Sequence, residues 1–226
     1  MTTPPTISDT LLEQLISSER FAAYVRTARG DRGRAVQLYR WNGLVSGAFY
    51  EVLQYVEVLF RNALHHQLEG LHATIAGRPA GAAWFDEPSW VAHHWFHTQA
   101  LDARDKAIAA AGHSLARPRP GKVVAELPFG FWRFLVTARY EQSFWVPALD
   151  AAFPDLPAGR PDVRRRQVEH HVAFLHLLRN RIAHHEPIHG TISYRQKGGP
   201  RERYDLAALH RLTLELLAWI SPDAAT

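Results

Sequence analysis

The chain contains no cysteine. That removes disulfides, thiolate zinc sites, iron–sulfur ligation and cysteine nucleophiles together, so any chemistry must come from other side chains. No apolar run approaches the roughly 18–20 residues that a membrane span requires. Residues 1–10 also lack the charged start and apolar stretch of a secretory signal, so a cytoplasmic protein with no membrane partner is expected. Lysine is scarce: Lys106, Lys122 and Lys197 are the only three, which leaves 23 of the 26 cationic residues as arginine. Asparagine is as rare, at Asn42, Asn62 and Asn180. Period-two alternation is nowhere sustained, and neither a fixed-period repeat nor a low-complexity tract is present.

What remains is rich in core material. Of 226 residues, 46% are hydrophobic, with seven Trp and eleven Phe, enough for one compact domain and too much for a disordered chain. The formal charge of +4, a pI near 9.6 and 14 His suit an RNA or DNA partner without demanding one. Arginine favours planar contacts to phosphate, but a G+C-rich genome also replaces lysine by arginine.

Apolar residues recur three and four apart throughout, which predicts an all-α fold. Ser8 and Ser18 are placed to cap short helices within a 1–35 extension. A helical core over 36–185 follows, with its longest helices near 36–71 and 163–185, the second bounded by Pro187. Residues 186–226 carry a basic turn and a final helix over 205–220. The segment near 190–204, with its Lys197-Gly198-Gly199-Pro200 turn signal, reads equally as a hairpin or an irregular loop.

One pattern occurs twice, each time on a long predicted helix: Arg61-Asn62 followed by His66, and Arg179-Asn180 followed by His184. Two of the three asparagines therefore follow arginine. Asparagine inside a helix costs about 0.7 kcal/mol relative to alanine, which suggests a use for the amide. On a helix Asn180 and His184 share a face, while Arg179 lies about 140° around and roughly 7.5 Å along from His184. The long arginine can swing to bracket one phosphate with the histidine. Arginine supplies a permanent cationic fork, and histidine gives or takes a proton near neutral pH. For RNA the nucleophile is built in, since the 2′-hydroxyl attacks its own phosphorus. The bland alternative is an ordinary helix surface; Glu57, one turn before Arg61, offers the first copy a simple ion pair.

At these residues the chain resembles a known family. The run FLHLLRNRIAHHEPI at 174–188 is similar to the signature of the Abi-like abortive-infection proteins typified by AbiD and AbiF, within the HEPN superfamily of helical ribonuclease domains. WNGL at 41–44, VEVLFRNAL at 56–64 and LPFGFW at 127–132 fit the same family, and the likeness spans about 21–217. The superfamily motif of Arg, four to six residues and His maps onto Arg179 and His184, with Asn180 as the polar companion. The resemblance implies one HEPN-type helical bundle over 1–226, with Glu57 as accompanying acid and Arg61, Asn62 and His185 in support. It implies a toxin of phage defence that cleaves RNA without metal or cofactor, leaves a 2′,3′-cyclic phosphate and acts as a homodimer. A regulatory non-coding RNA or an antitoxin is a further implied partner. The alternative is a non-catalytic RNA-binding or scaffolding protein that grips phosphate through the same motif.

Two arginine-rich stretches flank this motif: Arg160, Arg164, Arg165 and Arg166 before it, and Arg195, Lys197, Arg201 and Arg203 after it. Either set tracks an RNA backbone or merely forms a solvated face. His93 and His97 have the spacing of helical zinc ligands, but no HExxH or cysteine accompanies them, and no metal is expected. Glycine-rich phosphate loops and the Gly-x-Ser-x-Gly elbow are missing, which disfavours nucleotide triphosphatases and serine hydrolases.

Overall fold

The structure is a computed structural model that describes residues 7–77, 81–112, 118–195 and 199–225. In chain order the helices are α1 (Asp9–Leu15), α2 (Ser18–Thr27), α3 (Arg32–Ala73), α4 (His94–Ala110), α5 (Pro120–Glu126), α6 (Phe129–Leu135) and α7 (Pro161–Ala183). A two-stranded antiparallel hairpin, β1 (Ile192–Arg195) and β2 (Arg201–Tyr204), precedes the last helix, α8 (Leu206–Ile220). The fold is all-α with one short hairpin.

Most helix ends have a local chemical cause. Ser8 and Ser17 accept from the backbone of Leu11 and Arg20, so the second cap is Ser17, one residue before the expected Ser18. Asp31 accepts from Arg34 N at 2.9 Å and starts α3, and Asp205 accepts from Ala208 N at 2.8 Å before α8. Pro120 and Pro161 open α5 and α7, where a missing N–H costs nothing. Residues 88–110 form a 3₁₀ turn, Pro88–Ala92, followed by α4. Glu87 holds the turn by accepting from Ser89 N. Between α6 and α7 the chain runs through short turns; one is a π turn over Glu141–Trp145, closed by Val146 N donating to Glu141 O at 2.8 Å.

The described residues fall into two compact units, one within Met1–Leu53 and Leu177–Leu209, the other within Gln54–His176 and His210–Thr226. Both α3 and α7 carry residues of each unit. In the first unit, Phe21 and Tyr24 of α2 are buried with Ala35 and Val36 of α3, and Leu12, Ile16 and Tyr39 pack around them. The segment expected as an extension therefore shares a core with the start of α3.

The second unit is built on aromatic rings. Trp84, Phe96, Phe131, Trp132 and Phe144 are each 0–1% exposed, and Trp84 meets Phe85, Trp90, Phe96, Phe131 and Trp132 at centroid distances of 5.5–6.4 Å. Truncating one such ring to alanine costs about 3–5 kcal/mol. Trp84 Nε1 donates to His65 Nδ1 at 2.9 Å, so this polar edge is satisfied inside the core. Nearby, the buried Glu87 carboxylate accepts from the Ser89 hydroxyl at 2.6 Å and pairs with His72 Nε2 at 3.0 Å. The Ser89 hydrogen bonds, chiefly, hold its carboxyl below the usual range.

Candidate functional site

The end of α7 decides where the second Arg-Asn copy points. The helix stops at Ala183, two residues before the expected end. His185 N donates to Ile182 O at 3.0 Å and Glu186 N donates to Arg181 O at 2.8 Å, the two bonds of a Schellman turn. Its left-handed position, normally glycine, is His185 with φ 55°. The chain after the turn is pinned by Asn42 of α3, whose Oδ1 accepts from the buried Ile188 N at 2.7 Å. The third asparagine of the sequence thus positions the segment carrying His185.

Arg179 and His185 both line a cavity of about 820 Å³ in the first unit. Its other walls include Arg20 and Tyr24 of α2, and Tyr39, Asn42, Ser46 and Tyr50 of α3. Gly43 and Gly47 lie between Tyr39 and Tyr50, and a side chain added at either would meet nothing within 4 Å. The small residues keep that wall open. The lining carries two guanidinium groups, an imidazole and several hydroxyls, and among the described residues no carboxylate joins it. Such a surface attracts a polyanion and offers it donors in several directions.

Tyr24 is fully buried, and its hydroxyl finds no hydrogen-bond partner among the described residues. Burial pushes its pKa up to about 12, with Tyr39 adding and Arg20 opposing. Behind it, His189 Nε2 lies 2.9 Å from the Thr27 hydroxyl and its ring centroid 5.1 Å from that of Tyr24. Burial holds His189 below the ordinary histidine pKa.

Not every expected residue joins the cavity. His184 is exposed on the turn just outside the lining, whereas Asn180 is half-buried on α7. Glu57, Arg61, Asn62 and His66 sit on the part of α3 that belongs to the second unit, so the two Arg-Asn copies fall in different units. Arg61 Nε is enclosed there without a hydrogen-bond partner among the described residues.

Two of the proposed RNA-binding arginines are structural instead. Arg164 donates to Asp150 at 2.8 Å and to the carbonyls of Phe153, Leu156 and Pro157, tying down the connection before α7. Arg165 is 4% exposed and bonds Glu141 at 2.7 Å, the Val136 carbonyl at 3.1 Å and Glu169. Neither guanidinium is available to a phosphate. Arg166 remains exposed beside Asp162, at 2.9 Å. Arg195, Arg201 and Arg203 are exposed on the hairpin, and Lys197 lies outside the described residues.

His93 packs on the rings of Tyr140 and Phe144. Among the described residues no three His, Asp or Glu side chains are grouped as metal ligands would be. None of the described helices is long and apolar enough to cross a membrane. Arg20, Tyr24 and Tyr39 are cavity residues that sequence reasoning missed; the capping serines mark where α1 and α2 begin, and no local signal marks the packing of α2 on the start of α3. Compared with protein-family models, curated proteins and solved structures, the chain matches none.

Proposed function

We propose that this protein is a metal-independent endoribonuclease of the HEPN type, a toxin of phage defence, with the cavity of the first unit as its site. The observation that supports this most is the joint presence of Arg179 and His185 in one cation-rich, carboxylate-free cavity. Arg179 holds the scissile phosphodiester. The 2′-oxygen forms a bond to phosphorus as its proton leaves to a base, and the bond from phosphorus to the 5′-oxygen breaks as an acid protonates that oxygen. The products are a 2′,3′-cyclic phosphate and a 5′-hydroxyl, and no metal or cofactor enters the balance.

His185 is the better placed of the two neighbouring histidines for one proton transfer, and its five-residue separation from Arg179 also fits the motif that the family resemblance implies. Two proton transfers are needed, and a second copy of the chain supplies a second histidine. Trp41 and Leu44, 43% and 72% exposed on one stretch of α3, are the surface that such pairing would cover.

The test is cleavage of single-stranded RNA in EDTA by the wild type, Arg179→Ala, His184→Ala and His185→Ala. Arg179→Ala and His185→Ala are expected to lower the rate at least 100-fold with the fold retained, and His184→Ala to lower it less. RNA recovered intact from a stoichiometric wild-type complex overturns the enzyme and leaves a binding protein.

A further inference from the structure

The hairpin sorts its side chains by charge. Register pairs Ile192 with Tyr204, Ser193 with Arg203, Tyr194 with Glu202 and Arg195 with Arg201. Because successive residues alternate between faces, Ile192, Tyr194, Glu202 and Tyr204 share one face, and Ser193, Arg195, Arg201 and Arg203 share the other. The first face is turned inward: Ile192 is 1% exposed, and the Tyr204 hydroxyl donates to Glu202 at 3.1 Å. All three arginines of the second face are exposed.

Among the described residues no carboxylate pairs with any of these three arginines. Glu202, the one acid on the strands, is engaged on the opposite face. Arg195 and Arg201 stand directly across from each other, a like-charge pairing that weakens a hairpin. Arg195 Nε donates to the Gly199 carbonyl at 3.1 Å, and the residue remains exposed. A bound polyanion relieves this repulsion.

We infer that the outer face of the hairpin is a second RNA contact, a grip on the phosphate backbone of a single strand by residues that do not line the cavity. Three features select this ligand. Guanidinium forks match phosphate oxygens in pairs. Arg201 and Arg203 are two residues apart on one strand, about 7 Å, comparable to the step between successive phosphates. The face carries no apolar side chain, whereas a protein partner needs an apolar centre and a lipid surface needs side chains that enter it. The hairpin therefore contributes affinity without sequence choice, and the cavity contributes the chemistry.

The contact shares RNA with the function proposed above but none of its residues, so the two are tested separately. The probe is a fluorescent single-stranded oligonucleotide with 2′-O-methyl groups, which cannot be cut by 2′-hydroxyl attack. Its binding to the full-length protein is measured by anisotropy at several salt concentrations. Each phosphate contact to a single strand contributes about 0.7 to the slope of log affinity against log salt. The triple variant Arg195→Gln, Arg201→Gln, Arg203→Gln is expected to bind at least tenfold more weakly at low salt, with a slope shallower by about 2. Arg211→Gln, which removes an exposed charge on α8, is expected to change the slope by less than half a unit.

Triple replacement by lysine keeps the charge and guards against loss of the hairpin: the slope is expected to persist while affinity drops several-fold. An unchanged slope and affinity in the glutamine variant overturn the proposal. Should natural RNA stay uncut while the oligonucleotide still binds through these arginines, the ribonuclease reading fails and the hairpin contact stands.

Discussion

His185 occupies the one backbone position at the end of α7 where a side chain is a disadvantage. A left-handed conformation costs a non-glycine residue roughly 1 kcal/mol or more, and the Schellman turn around it is otherwise complete. His185→Gly is therefore expected to raise stability by about 1 kcal/mol in denaturant melts while cleavage is lost. A variant no more stable than the wild type overturns the strain, and one that still cuts RNA overturns the role. A period of 3.6 in the sequence marks where α7 runs and spacing from Arg179 singles out His184, but a histidine in a glycine position leaves no trace in composition, so the turn at His185 is invisible there. Asn42 was equally hidden. Its rarity was visible, yet its bond to Ile188 joins positions 146 apart in sequence.

The helices themselves were legible because their caps and apolar spacing are local. Arginine function was not. Arg164, Arg165 and Arg166 are indistinguishable as letters, and what separates them is the partner each reaches: a carbonyl 29 residues away for Arg165, a neighbouring aspartate on the same helix for Arg166. Arg165 links α7 to the π turn through Glu141 and to its own helix through Glu169. Removing it strands two partly buried carboxylates. Arg165→Ala is expected to cost about 3–5 kcal/mol in a urea melt, with the affinity of the folded variant for RNA unchanged. A loss of under 1 kcal/mol would show that the network is not structural. The hairpin lay between these cases, since its alternation becomes meaningful only once the register is known.

At the scale of the whole molecule, four histidines among the described residues resist taking up a proton. Burial is the first cause of the lowered pKa of His65, His93, His171 and His189. The Glu215 carboxylate, 2.8 Å from His171 Nε2, offsets this only in part, as Glu69 does for His65. Each folded pKa lies below the ordinary 6.5, so the unfolded chain takes up these protons first. Their contribution is fully present well above pH 6.5 and is lost as pH falls through and below it, by up to about 1.4 kcal/mol per pH unit per group. Urea midpoints at pH 7.5, 6.5 and 5.5 are expected to fall, the steeper drop coming between the last two. A flat series overturns the assignment.

The division of the chain also sets an order of events during synthesis. The cavity needs α2, the start of α3 and the end of α7, and its unit draws on residues as late as Leu209. Closing so long a loop must wait until both ends exist. While the ribosome is still translating, a nascent copy carries its arginines and tyrosines but no assembled site. Under the function proposed above, the RNA around the ribosome is spared from the protein being made on it until the end of α7 has emerged.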